Sequence, residues 1–130
     1  NHWSIIIIYD KVAVMFEIDF YTDSRGRCPV RAFLDSLDVK MRAKTLGRIE
    51  LLEREGSELR MPFSRYLEDG IFELRIPQGS NITRVLYFLF AGGKIILANG
   101  FVKKTQRTPR KEIELARRFR EDWTHRHERL

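Results

Sequence analysis

The chain has 130 residues, 43% hydrophobic and 32% charged, with a formal net charge of +6 and a pI of about 9.8. That length fits one domain with a real core, and charges interleaved with aromatic and β-branched residues argue against disorder. The lone cysteine, Cys28, excludes an internal disulfide framework and suits a reducing cytoplasm; no Cys/His cluster has metal-ligand spacing, and no apolar run approaches the roughly 18 residues of a membrane span.

Residues 1–14 read as an N-terminal extension. Their run Ile5 to Ile8 has strand propensity but is too short, and wrongly flanked by Asp10 and Lys11, for a signal peptide. A single domain is expected over residues 15–124, with a polar tail at 125–130 that includes His125 and His127. Phe16, Ile18 and Phe20 alternate with Glu17, Asp19 and Tyr21, the period of a half-buried strand. Residues 23–27 form a turn. Pro29 then opens a helix with Val30, Phe33, Leu34 and Leu37 on one face. A second helix is expected over 40–54, with Met41, Leu46, Ile49 and Leu52 as its apolar stripe and Gly56 as C-cap. Residues 57–70 read as irregular. Three strands follow at 71–76, 82–90 and 94–102, the last two joined by the tight-hairpin signal Gly92-Gly93. The last helix is expected over 109–123, capped by Thr108 with Pro109 at its first position. Leu115, Phe119 and Trp123 share a face of it, with Ile113 and Ala116 beside them. The fold class is therefore α+β: N-terminal strand, αα-hairpin, three-stranded antiparallel meander, C-terminal helix. With the helices against one sheet face, the other is expected to be free for a ligand.

The stretch from Gly100 to Glu112 carries the chemistry. An apolar strand runs into Lys103, Lys104, Arg107, Arg110 and Lys111, and then into a helix N-terminus. Five cations beside such a terminus suit a phosphate, and the net charge favours a polyanionic partner. The plainer reading is a solvated basic surface. Strand alternation puts Phe72, Leu74 and Ile76 on one face, and Ile71, Glu73 and Arg75 on the other. Arg84 falls among Ile82, Leu86, Phe88 and Phe90, where a guanidinium is costly unless paired or lining a cleft. For Arg75 the plainer alternative is a salt bridge, for example with Glu73; for Arg84 it is a sheet-edge cation. Lys103 and Lys104 are adjacent and point to opposite faces, so one of them can approach the two arginines. Together the four residues are expected to form a cationic pocket. Tyr66, Tyr87, Phe101 and Trp123 lie nearest it. Such rings can stack on bases, although core packing is the expectation for Tyr87 and Trp123. The central fold holds no histidine for a Ser/His/Asp triad, and no Walker motif occurs. Glu114, Glu121 and Asp122 read as surface ion-pairing groups.

Three segments are familiar: Phe72-Glu73-Leu74-Arg75; Thr83-Arg84-Val85-Leu86-Tyr87; and residues 97–109, with Glu112-Ile113-Glu114-Leu115-Ala116 after them. In these the chain resembles the RelE/ParE superfamily of bacterial type II toxins, most closely the HigB-like, phage-derived branch, over residues 15 to about 123. The resemblance implies a cytoplasmic, metal-independent endoribonuclease without cofactor that cuts mRNA in the ribosomal A site. It also implies a cognate HigA-like helix-turn-helix antitoxin, operator DNA bound only through the antitoxin complex, and no membrane partner. In that chemistry the ribose 2′-OH attacks the phosphate. Arg75 and Arg84 would clamp the phosphorane charge. A lysine crowded by other cations would move the proton, Lys104 before Lys103. Thr105, Arg107, Arg110, Lys111 and Phe101 would hold RNA. Some family members carry a histidine, aspartate or tyrosine in catalytic roles near the C-terminus, and this chain lacks the histidine. A ParE-like gyrase poison, or a non-catalytic nucleic-acid-binding homologue, are the alternatives.

Overall fold

A computed structural model of the chain describes residues 16–128, so the expected extension at 1–14 lies outside the described residues. The elements are β1 (Ile18–Phe20), α1 (Pro29–Ser36), α2 (Val39–Glu55), β2 (Ser64–Glu68), β3 (Ile71–Gln78), β4 (Asn81–Phe90), β5 (Lys94–Lys103) and α3 (Arg110–His127). The strands form one sheet in the order β1-β5-β4-β3-β2. β2 to β5 make an antiparallel meander, and β1 lies parallel to β5, Ile18 opposite Ile95.

Two expectations need correction. The sheet among the described residues is mixed and five-stranded, because the irregular stretch contains β2. Asp69 (φ 49°) and Gly70 (φ 77°) turn that strand into β3. Consecutive positive φ values are what a tight two-residue hairpin demands, and Asp-Gly supplies them. The second correction concerns the layers, for helices cover both sheet faces. α1 and α2 pack on Leu74, Ile76, Val85, Tyr87, Ile95 and Leu97, together with Phe16, Ile18 and Phe20. On the opposite face Ala116 and Trp123 of α3 pack on Ile71, Leu86, Phe88, Ile96 and Ala98. β4 and β5 are apolar on both sides, and such strands need two covers.

Local chemistry fixes the helix ends. The Asp38 carboxylate accepts the Met41 N–H at 2.8 Å, a side-chain N-cap, and Gly56 (φ 56°) ends α2 as expected. The buried stripe of α2 is Met41, Thr45, Ile49 and Leu52; Leu46 is exposed instead. Thr45 is tolerated there because its hydroxyl donates to the Met41 carbonyl at 2.8 Å. α1 lies so close to β5 that a Cβ at Gly100 would collide with the Phe33 ring. α3 runs past the expected end, through His127, whose ring stacks on Trp123 at 3.7 Å. The start of the supposed tail is therefore helical.

Candidate functional site

The meander's register assembles a charged cluster on the face that α3 shares. Arg75 on β3 lies opposite Arg84 on β4, and Arg65 on β2 lies opposite Glu73. The Glu73 carboxylate accepts from Arg65 Nε at 3.0 Å and Arg75 Nη1 at 2.7 Å, while Arg84 Nη1 stands 3.5 Å away. Thr108 donates its hydroxyl to the other oxygen of Glu73. Glu73 and Arg84 are 0% exposed and Arg75 is 4% exposed. Burial pulls the Arg84 guanidinium below its ordinary range, and the Glu73 charge opposes that pull. The Nε and Nη1 of Arg84 find no hydrogen-bond partner among the described residues.

The loop at residues 104–109 closes over this cluster. Arg84 donates through Nη2 to the Thr105 carbonyl, Arg75 Nη2 reaches the Gln106 side-chain oxygen at 3.0 Å, and Arg65 Nη2 reaches the Gln106 carbonyl at 2.8 Å. The expected uncovered sheet surface is thus absent at this point. The reason is topological. β5 ends at Lys103 while α3 packs on the same face as the arginines, so the connection between them must cross the polar end of that face.

Each proposed site residue now has a place. Arg75 and Arg84 do converge, but as buried groups; Arg75 pairs with Glu73, and Arg84 sits on a central strand, not at a sheet edge. Lys103, Lys104, Arg107 and Lys111 are exposed around the loop. They form an exposed cationic lip on the chain segment that adjoins the buried cluster. Thr105 is exposed, its hydroxyl donating to the Arg107 carbonyl at 3.0 Å. Arg110 is held by Glu68 and by Glu114 at 2.9 Å, which raises its pKa, and those carboxylates compete with any RNA phosphate for it. Phe101 is buried beneath the Arg84 guanidinium, 5.9 Å from it, so it offers no face to a base in this form. Tyr87 and Trp123 are core residues as expected, whereas Tyr66 is 57% exposed on β2. Thr108 does not cap α3: its hydroxyl is spent on Glu73, and Pro109 takes the N-cap position.

Sequence reasoning left Arg65, Gln106 and Thr108 outside the site and gave Glu73 only a pairing role. The signal for Glu73 was present, since Glu73 and Arg75 are two residues apart on a strand and must share a face. A cleft of about 270 Å³ opens beside the cluster, lined by Arg65, Tyr66, Glu68, Arg107, Thr108 and Arg110. Among the described residues no group of His, Cys, Asp and Glu could hold a metal ion, and no helix is long and apolar enough to cross a membrane.

Three guanidiniums thus converge on one buried carboxylate under a basic loop of an α+β domain. The family model described as phage-derived protein Gp49-like (DUF891) matches residues 32–121, from α1 to α3, and the chain belongs to that family. The family lies within the RelE/ParE-like toxin superfamily. No curated protein matches the chain.

Proposed function

We propose that the chain is the toxin of a type II toxin–antitoxin system, a HigB-like protein of RelE-like fold that cleaves mRNA on the ribosome in the cytoplasm. A cognate HigA-like antitoxin neutralises it. The observation that carries this reading is the excess of positive charge at the β5–α3 connection. Three guanidiniums share one buried carboxylate, the Nε and Nη1 of Arg84 lack hydrogen bonds among the described residues, and four exposed cations lie along the loop.

In this reading the exposed lip gathers the RNA backbone. Arg75 and Arg84 then take the phosphate oxygens and stabilise the phosphorane, and Lys104, or Lys103, moves the proton of the attacking 2′-OH. In this reading the ribosome supplies the substrate orientation that the chain alone does not. The test is inducible expression followed by mapping of mRNA 5′ ends. Wild type is expected to give cuts in translated mRNA, and Arg84→Ala and Lys104→Ala, checked for folding by circular dichroism, are expected to lose them. Unchanged cut profiles in both variants reject the assignment.

The burial of Arg75 and Arg84 favours a second reading, in which the cluster only holds the sheet together and the chain is a ParE-like gyrase poison. Pulse labelling separates the two. Early loss of DNA synthesis with translation intact belongs to the gyrase reading.

A further inference from the structure

We infer that residues 104–108 are a displaceable cover on a phosphate site, that Glu73 is its latch, and that the structure is the closed form. The inference rests on the reading of the cluster as an RNA phosphate site and adds how access to it is controlled.

Charge is the first ground. Arg65, Arg75 and Arg84 against Glu73 leave two positive charges in excess; the Arg65 side chain is 31% exposed, so one of the two lies in the part removed from water, Arg75 and Arg84 against Glu73. Buried charge without a counter-charge is costly, and unsatisfied buried donors are rare in folded proteins. Arg84 nevertheless keeps its Nε and Nη1 without a hydrogen bond among the described residues, Nη1 standing only in ion-pair range of Glu73 at 3.5 Å. A phosphodiester brings both a negative charge and the missing acceptor oxygens.

What fills the site now is the second ground. The donors that do find partners outside Glu73 are held by neutral groups of the loop: the Thr105 carbonyl, the Gln106 carbonyl and the Gln106 side-chain oxygen. These occupy directions from which phosphate oxygens would be bound. A charged acceptor makes a hydrogen bond roughly twice as strong as a neutral one, so a phosphate can displace them.

The third ground is how loosely the loop is fixed. Residues 104–107 are all exposed and bury no apolar side chain, whereas Thr108 is buried and bonded to Glu73. A segment held by a few polar contacts opens at low cost. Each contact removed raises the open fraction, and the apparent affinity for a ligand of the open form rises with it. Glu73 therefore acts as a positioning residue: it orients three guanidiniums and anchors the cover through Thr108.

The test uses the full chain and a single-stranded 2′-O-methyl oligoribonucleotide, which cannot be cleaved, with inorganic phosphate as a second probe. Gln106→Ala removes one loop acceptor, and Thr108→Val removes the latch hydrogen bond with little change of shape. Both leave every cation in place. Each is expected to bind the oligonucleotide about threefold to tenfold more tightly than wild type, the equivalent of about one hydrogen bond. The Arg84 Nε–H signal in NMR is expected to shift when either probe is added. Unchanged or weaker binding in both variants, with a static Arg84 signal, overturns the cover. The mRNA cleavage assay reports separately. A moving Arg84 signal and tighter variants without any mRNA cuts would sink the nuclease and keep the gated anion site, whereas mRNA cuts with a static Arg84 signal would do the reverse.

Discussion

One sheet face of this protein has two unlike ends. Under α3 it is dry and apolar: Ile71, Leu86, Phe88, Ile96 and Ala98 meet Ala116 and Trp123. Two to four residues further along the same strands it holds Glu73, Arg75 and Arg84, and the cover there is a loop of peptide carbonyls and one amide side chain. A helix spends its backbone hydrogen bonds internally and can bury only an apolar stripe. A loop has peptide groups to spare, and so it can sit on charges. The nature of the cover therefore matches the nature of what lies beneath. The helical end resembles a permanent core, while the loop end is held by a few hydrogen bonds to neutral acceptors.

Removing the centre of each end tests this division and carries the largest effects. Glu73→Ala leaves the guanidiniums without their carboxylate and is expected to cost about 3–5 kcal/mol in denaturant unfolding. Trp123→Ala is expected to cost a similar amount, about 3–5 kcal/mol, through the cavity left under α3. The two losses should differ in kind. Added phosphate is expected to restore part of the stability of Glu73→Ala and little of that of Trp123→Ala. Equal response of both variants to phosphate would dissolve the distinction between the ends.

Tightening a third contact, on the face opposite both ends, gives a smaller effect. Gly100→Ala sets a methyl group against the Phe33 ring and is expected to cost about 1–3 kcal/mol, read from the same unfolding curves. A loss there that phosphate does not relieve fits a contact remote from the arginines.

The helical end also carries its own titration. Burial, reinforced by a hydrogen bond to Asp122 at 2.7 Å, pushes the Tyr21 hydroxyl up to about 12. The folded state favours the neutral phenol, so this contribution is fully present below the ordinary tyrosine pKa of about 10 and is lost as the pH rises through about 12. Stability followed across that window should fall in wild type and fall less in Tyr21→Phe. The smallest effect belongs to the exposed lip. Lys104→Ala should leave the unfolding midpoint in place and reduce the salt slope of oligonucleotide binding by about one.

Much of the scaffold was written in local pattern. Period-two alternation located β3, β4 and β5 to within two residues and sorted Phe72, Leu74 and Ile76 from Glu73 and Arg75 correctly. Pro29 and Gly56 bounded the helical hairpin through φ preferences, whereas the Asp38 cap that starts α2 went unread. β2 was hidden because its five residues alternate weakly, although Asp69-Gly70 between two short runs signalled a hairpin. The second cover was also signalled, by strands apolar on both sides. What no local pattern contains is the side on which α3 lands after β5, and that landing decided whether the arginines were open or roofed.

By itself, then, the sequence determined which residues could share a strand face, where the helical hairpin α1–α2 begins and ends, and that positive charge gathers after β5, since all of these depend on neighbours a few positions apart. Only the tertiary structure decided that Glu73 would gather Arg65, Arg75 and Arg84, and that Thr105, Gln106 and Thr108 would close over them. Those groups lie 2 to 43 positions apart along the chain. Their meeting is fixed by strand register and by the path of one connecting loop, and neither leaves a periodic trace in the residues it joins.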